Sequence, residues 1–229
     1  MDSNHPFRKA GFFGLPHDRR GYHHGRLKDA LLEAARILMS ERGGGGFTLS
    51  EAARRVGVTA AATYRHFADR NALMSELALR GFELFGQRMA GAWDQGRPEP
   101  VAALLRMASA YLAFAYEEPG LYAAMFNDVS ALQAAPQAGA AADRAFEQLL
   151  RATQAALAVK QGAPDAAPLL ALQIWVLCHG AARLVAGGHL PKGMVECDPE
   201  MVLTMGIAGL LEQSALPGAP AGGRRPRTV

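Results

Sequence analysis

The chain has 229 residues, half of them hydrophobic, enough for one medium domain or for a small domain beside a larger one with a sizeable core. Its net charge of +3 conceals an uneven distribution: residues 1–75 carry 12 Lys/Arg against 7 Asp/Glu, residues 76–221 carry 9 against 14, and residues 222–229 add three arginines. Cationic ends around an acidic middle suggest a polyanion-binding N-terminal unit on a separate body. Two cysteines, Cys178 and Cys197, argue against a disulfide framework and fit a reducing cytoplasm, while Arg8, Lys9, Arg19 and Arg20 interrupt any signal-peptide apolar run.

Residues 1–20 mix Gly, Pro, His and Arg without periodicity, as a flexible arm does. A first helix is predicted over 26–42, where Leu27, Ala30, Leu31, Ala34, Ala35 and Leu38 make one apolar face. Four glycines, 43–46, end it. They lack the Gly-Lys-Ser/Thr of a phosphate loop and read as a linker. Thr48 with Glu51 forms a capping box for a short helix over 49–55, with Leu49, Ala52, Ala53 and Val56 inward. Gly57 makes a turn, Thr59 caps a helix over 60–66, and Asp69 caps a long helix over 70–93 whose stripe is Leu73, Leu77, Phe82, Phe85 and Met89. Further helices are expected over 101–116, 120–126, 141–159, 166–186 and 199–216, with 130–142 a poorly specified loop or frayed helix and 217–229 a disordered tail. No strand pattern or internal repeat is seen. The fold class is therefore all-α, with a three-helix unit followed by a larger helical bundle.

Two short helices joined by Gly57 form a helix-turn-helix pattern, whose second helix enters a major groove N-terminus first. Thr48, Thr59, Tyr64, His66 and Arg70 are groups suited to phosphate, spaced so that successive ones can follow one strand. Residues 22–77 resemble the DNA-binding domain of the TetR family, above all in Gly57-Val58-Thr59, then Tyr64-Arg65-His66-Phe67, then Arg70 and Leu73. The resemblance implies that Thr48, Thr59, Tyr64, His66 and Arg70 hold phosphates, that Ser50, Ala60, Ala61 and Ala62 face bases, and that Thr63 and Phe67 face inward. Three alanines cannot make bidentate base contacts but can touch thymine methyls. Specificity then leans on Ser50, Arg65, DNA shape and the N-terminal arm, where Arg19, Arg20, His23, His24 and Arg26 are either groove contacts or a solvated charge run.

Domain boundaries follow: arm 1–20, DNA-binding domain 21–70, effector and dimerisation domain 71–216, tail 217–229. The apolar run over 169–187 carries Gln173, His179 and Arg183, which favours a buried helix over a membrane span. On it Trp175, His179 and Arg183 recur every four residues, and Gly180 suits a close approach. Trp175-His179-Gly180 resembles the Trp-His-Gly pattern of one C-terminal class of TetR-type regulators. That resemblance implies an effector pocket here and dimerisation through the last two long helices. Met107, Phe114, Met125, Phe126, Trp175 and His179 are candidate pocket residues, with packed core as the alternative for each. Gly206, Ala208 and Gly209 make a small-residue surface on a last helix that is apolar almost all round.

Cys178, His179, His189 and Cys197 match no compact ligand spacing, and Cys178 is expected to point away from the His179 stripe, so no metal or cofactor is expected. No nucleophile elbow, paired-carboxylate motif or Rossmann pattern supports catalysis. The expectation is a ligand-responsive transcriptional regulator, by default a repressor. It binds a palindromic double-stranded operator as a homodimer and is released by a small apolar effector. A pocketless architectural DNA binder and a helical enzyme are the rivals.

Overall fold

The computed structural model describes residues 24–43, 46–127, 135–187, 189 and 198–215. The N-terminal arm with Arg19, Arg20 and His23, the side chain of His24, Cys197 and the tail lie outside the described residues. The chain order is α1 (His24–Glu41), α2 (Leu49–Val56), α3 (Ala60–Thr63), α4 (Arg70–Trp93), α5 (Pro100–Glu117), α6 (Pro119–Phe126), α7 (Pro136–Val159), α8 (Ala167–Ala186) and α9 (Pro199–Ser214). There is no strand among the described residues.

Local chemistry explains the first four helices. The Thr48 hydroxyl accepts from the Glu51 N–H at 3.2 Å, and the Glu51 carboxylate accepts from the Thr48 N–H at 2.8 Å, so the capping box is complete. Gly57 ends α2 with φ +80°, a left-handed conformation that favours glycine. Asp69 accepts from the Ala72 N–H at 2.8 Å and starts α4. Thr59 precedes α3 in an extended conformation but makes no side-chain capping bond, contrary to expectation. The helix also stops at Thr63, three residues early, because the chain turns over Tyr64–His66 to bury Phe67. Thr63 is fully buried, its hydroxyl donating to the Ala60 carbonyl at 2.7 Å.

The apolar core is one connected cluster from Leu31 in α1 to Leu211 in α9. Helix α6 bridges its two ends. A Cβ on Gly120 would lie 2.1 Å from the Arg36 carbonyl oxygen, so only glycine allows α6 this close to α1. On α4, a Cβ at Gly81 would meet Met125 Cγ and Sδ at 2.8 Å.

Three expectations fail for tertiary reasons. Helix α7 begins at Pro136 rather than near 141, because Ala138 and Ala141 pack into the interior and Pro136 suits a first turn. Among the described residues no atom lies within 4 Å of a Cβ built on Gly180, so none of them approaches closely there. Nor is α8 buried all round. Pro164–Ala186 is long and apolar enough to span a membrane by length and composition, yet only 28% of its most apolar stretch is buried. Leu170, Ile174 and Cys178 face inward, while Leu172, Val176 and Leu184 are exposed. Helix α9 repeats the pattern, with Leu203, Ile207 and Leu211 inward and Met201, Val202 and Met205 exposed.

Candidate nucleic-acid interface and effector cavity

The interface is built on α2, α3 and the start of α4. Ser50, Thr59, Ala61, Tyr64 and Arg65 are exposed, Ala60, Ala62, His66 and Arg70 half-buried. Tyr64 is 60% exposed, high for a large ring with no packing role, whereas its neighbours Thr63 and Phe67 are buried. The Arg70 guanidinium stacks over the Phe47 ring at 5.2 Å, which fixes its position beside the N-terminus of α4. The Thr48 hydroxyl, expected at phosphate, is engaged with Glu51: it donates to the carboxylate at 3.0 Å while accepting from the backbone.

Ion pairs brace this unit from the rim. Arg42 reaches Glu51 at 2.5 Å and the Gly46 carbonyl at 2.7 Å, tying the end of α1 to the start of α2. Arg55 pairs with Glu41 at 2.7 Å. Arg42, followed by the Thr48 N–H and hydroxyl, holds the Glu51 carboxyl down at about 2. Arg55 lowers Glu41 in the same way. Arg80 pairs with Asp29 at 2.6 Å and Lys28 with Glu76 at 3.1 Å, fastening α1 to α4.

The cavity lies between α4, α5, α6, α7 and α8, and its volume is about 40 Å³. Its walls include Phe82, Phe85 and Met89 of α4, Met107 and Tyr111 of α5, Phe126 of α6, Phe146 of α7, and Trp175 and Cys178 of α8. Of the six candidate pocket residues, Met107, Phe126 and Trp175 line it. Phe114, Met125 and His179 do not. Phe114 is fully buried against Phe85, with ring centroids 5.3 Å apart, and Met125 packs at Gly81. Cys178 lines the cavity beside Trp175 while His179 does not, and burial pushes its thiol up to about 12, so it is a small hydrophobe rather than a nucleophile.

His179 sits behind the wall. Its Nδ1 is 2.9 Å from the Tyr122 hydroxyl and 3.1 Å from the Tyr111 hydroxyl, and its ring stacks on Tyr122. The partners of this Nδ1 are thus two phenols. Burial raises both tyrosines, while burial and then the Arg183 charge lower His179, so all three are neutral near pH 7. Tyr111 and Tyr122 were missed by sequence reasoning. Tyr111 lies one turn after Met107 and one turn before Phe114 on α5, a spacing shared by any core tyrosine, so it carries no signal of its own. Among the described residues no group of three or more His, Cys, Asp or Glu side chains is placed to hold a metal ion.

Comparison with known proteins decides what this arrangement belongs to. Residues 31–77 match the model of the tetR family of bacterial regulatory proteins, and residues 104–210 match the tetracyclin repressor-like C-terminal domain. The chain belongs to the TetR family. Over 100 residues it is 29% identical to YobS of Bacillus subtilis (strain 168), an uncharacterised HTH-type transcriptional regulator; the stretch is 44% of this chain and 51% of YobS, about half of that protein. A Rhodococcus sp. RHA1 protein of unknown function has a similar solved structure, with TM-score 0.73 and 30% identity, covering 86% of this chain and 100% of that one. The TetR-family regulator PfmR from Thermus thermophilus shares the fold at TM-score 0.62 and 18% identity, covering 79% of this chain and 96% of PfmR. This TetR-family protein is thus a transcriptional regulator with an N-terminal helix-turn-helix DNA-binding domain.

Proposed function

We propose that this TetR-family regulator is a cytoplasmic, ligand-responsive repressor that binds a palindromic operator as a homodimer and is released by a small apolar effector. The observation that carries the reading is the course of α4. Its first residue, Arg70, stands beside the exposed groups of the helix-turn-helix, and Phe82, Phe85 and Met89 of the same helix wall the cavity. Its 24 residues span roughly 36 Å, so a ligand that shifts the cavity end moves the DNA end. An effector that prefers the shifted state weakens operator binding by its differential affinity for the two states.

In this reading residues 21–70 bind DNA and 71–216 bind effector and partner subunit. Thr59, Tyr64, His66 and Arg70 hold phosphate, joined by Thr48 through its helix N-terminus. Ser50, Ala60, Ala61, Ala62 and Arg65 face bases. The exposed apolar residues of α8 and α9, with open space at Gly180 and Gly209, support a two-fold helical interface. The test is to sequence DNA selected by the purified full chain while measuring its mass by sedimentation. A palindromic consensus bound by a dimer is expected, and Gly209→Arg gives a monomer that binds DNA poorly. Salt-sensitive coating of any sequence by a monomer overturns the proposal.

A further inference from the structure

The helix-turn-helix unit carries more positive charge than it neutralises internally. Every carboxylate from Asp29 to Glu76 is engaged, each with a cation except Asp69, which caps α4. Among the described residues, the side chains of Arg26, Arg54 and Arg65 have no ion-pair partner. Arg54 is the one of these three that lies on α2, and the position of that helix decides where its charge is presented. Leu49, Ala52 and Ala53 of α2 are buried. Glu51 and Arg55, one turn apart, reach back to Arg42 and Glu41 at the end of α1. At about 100° per residue, Ser50 and Arg54, also one turn apart, fall on the other side of the buried face, and both are exposed.

The two flanks of α2 therefore differ in charge although each carries an arginine. On the α1 flank Arg55 is matched by Glu41, and the Glu51 carboxylate stands one turn away. A phosphate arriving there must break an ion pair and meet a second carboxylate, which opposes binding. On the Ser50 flank no carboxylate among the described residues pairs with Arg54, so its guanidinium can take a phosphate without giving up a bond inside the protein. The first helix of a helix-turn-helix crosses the sugar-phosphate backbone while the second enters the groove, which favours a phosphate over a base edge as the partner of α2's last turn. We infer that Arg54 holds a backbone phosphate of the operator, one contact beyond those of Thr48, Thr59, Tyr64, His66 and Arg70. The inference rests on the Ser50 flank of α2 facing DNA, as in the proposed function.

Neighbouring arginines supply a matched test on the full-length protein. Affinity for the duplex selected by the wild type, and for an unrelated duplex, is measured across a range of salt concentrations, with melting temperatures to check folding. Arg54→Gln should flatten the plot of log affinity against log salt by about one for each subunit bound, and weaken both duplexes by a similar factor. Arg55→Gln, one residue along but paired with Glu41, should leave the slope near the wild-type value. Arg54→Lys should recover most of the slope, because a phosphate accepts a point charge. A wild-type slope in Arg54→Gln, or an equal loss in both Gln variants, overturns the inference. So does a changed sequence preference with an unchanged slope, which would make Arg54 a base reader. Tyr64→Phe in the same assay separates the two levels. If Tyr64→Phe weakens binding and Arg54→Gln does not, the inference fails and the proposed DNA face stands. If neither substitution matters in a folded protein that still binds DNA, α2 and α3 do not face the duplex, and the proposed function fails with it.

Discussion

The two ends of α4 sit in differently built surroundings. Near Arg70 the chain is held by caps and turns a few residues long, a capping box at Thr48, a left-handed Gly57 and an Asp69 cap, and by rim ion pairs between residues 9 and 14 apart. Near Met89 the chain is held by aromatic rings from distant segments, Phe85 meeting Tyr111 at 5.1 Å and Phe114 at 5.3 Å, edge to face. Exposed ion pairs contribute about 0–1 kcal/mol each and weaken with salt. Packed rings depend on volume and hardly on salt. The DNA-facing end should therefore tolerate changes in size and respond to charge, and the cavity end should do the reverse.

The sharpest way to break that contrast is to remove volume at the cavity end. Phe114 is fully buried, touches Phe85, and lies under the Arg88 guanidinium at 5.6 Å. Phe114→Ala is expected to destabilise the protein by about 3–5 kcal/mol in denaturant titration, with little dependence on salt. A loss below about 1 kcal/mol would mean that the cavity end is loosely packed, and the contrast would fail.

Between the two ends stands the contact of α6 with α1. Gly120→Ala forces a methyl onto the Arg36 backbone, and neither helix has a flexible side-chain tip there to yield. The expected cost is about 1–3 kcal/mol, together with weaker operator binding as α1 is displaced. Unchanged operator affinity would show that α1 moves freely of α6.

At the DNA-facing end, Gly57→Ala meets no steric neighbour among the described residues but must hold φ +80°. The cost is about 1–2 kcal/mol, from backbone conformation alone. Since the turn sets α3 against α2, operator affinity should fall at the same time. A neutral result would show that the turn readjusts.

The same contrast explains what could be read from the sequence. Helix α4 is Arg70–Trp93, as its Asp69 cap and apolar stripe predict, and α2 follows from Thr48 and Gly57. These signals are local, so one sequence carries them. The cavity is different. Trp175 and His179 share a helix face by spacing, yet Trp175 reaches the cavity while His179 turns to Tyr111 and Tyr122, 68 and 57 residues away. Which partner a buried imidazole takes is set by how α5 and α6 pack, and spacing on α8 holds no record of it. The start of α7 is illegible for a related reason. Its Ala-Gly run has weak periodicity, and the helix is fixed by burial of Ala138 and Ala141.

The smallest expected effect concerns the polar cluster inside the otherwise apolar end. His179 has its pKa lowered from the ordinary 6.5, first by burial and then by the Arg183 charge. The folded state thus prefers the neutral imidazole that the two phenols contact, and the unfolded chain protonates more readily. The sign follows: this contribution is complete above about pH 6.5 and fades as pH falls through the lower folded value. One proton sets a ceiling of about 1.4 kcal/mol per pH unit, and the partial exposure of the ring brings the slope well below it. Melting temperatures of wild type and His179→Gln, compared from about pH 8 to about pH 5.5, read the effect, because Gln keeps hydrogen-bonding atoms but does not titrate in that range. The gap between the two proteins should narrow on acidification. Parallel curves would mean that the tyrosine pair accepts a charged imidazole as well as a neutral one, and that the cavity end, like the helix-turn-helix rim, accommodates charge after all.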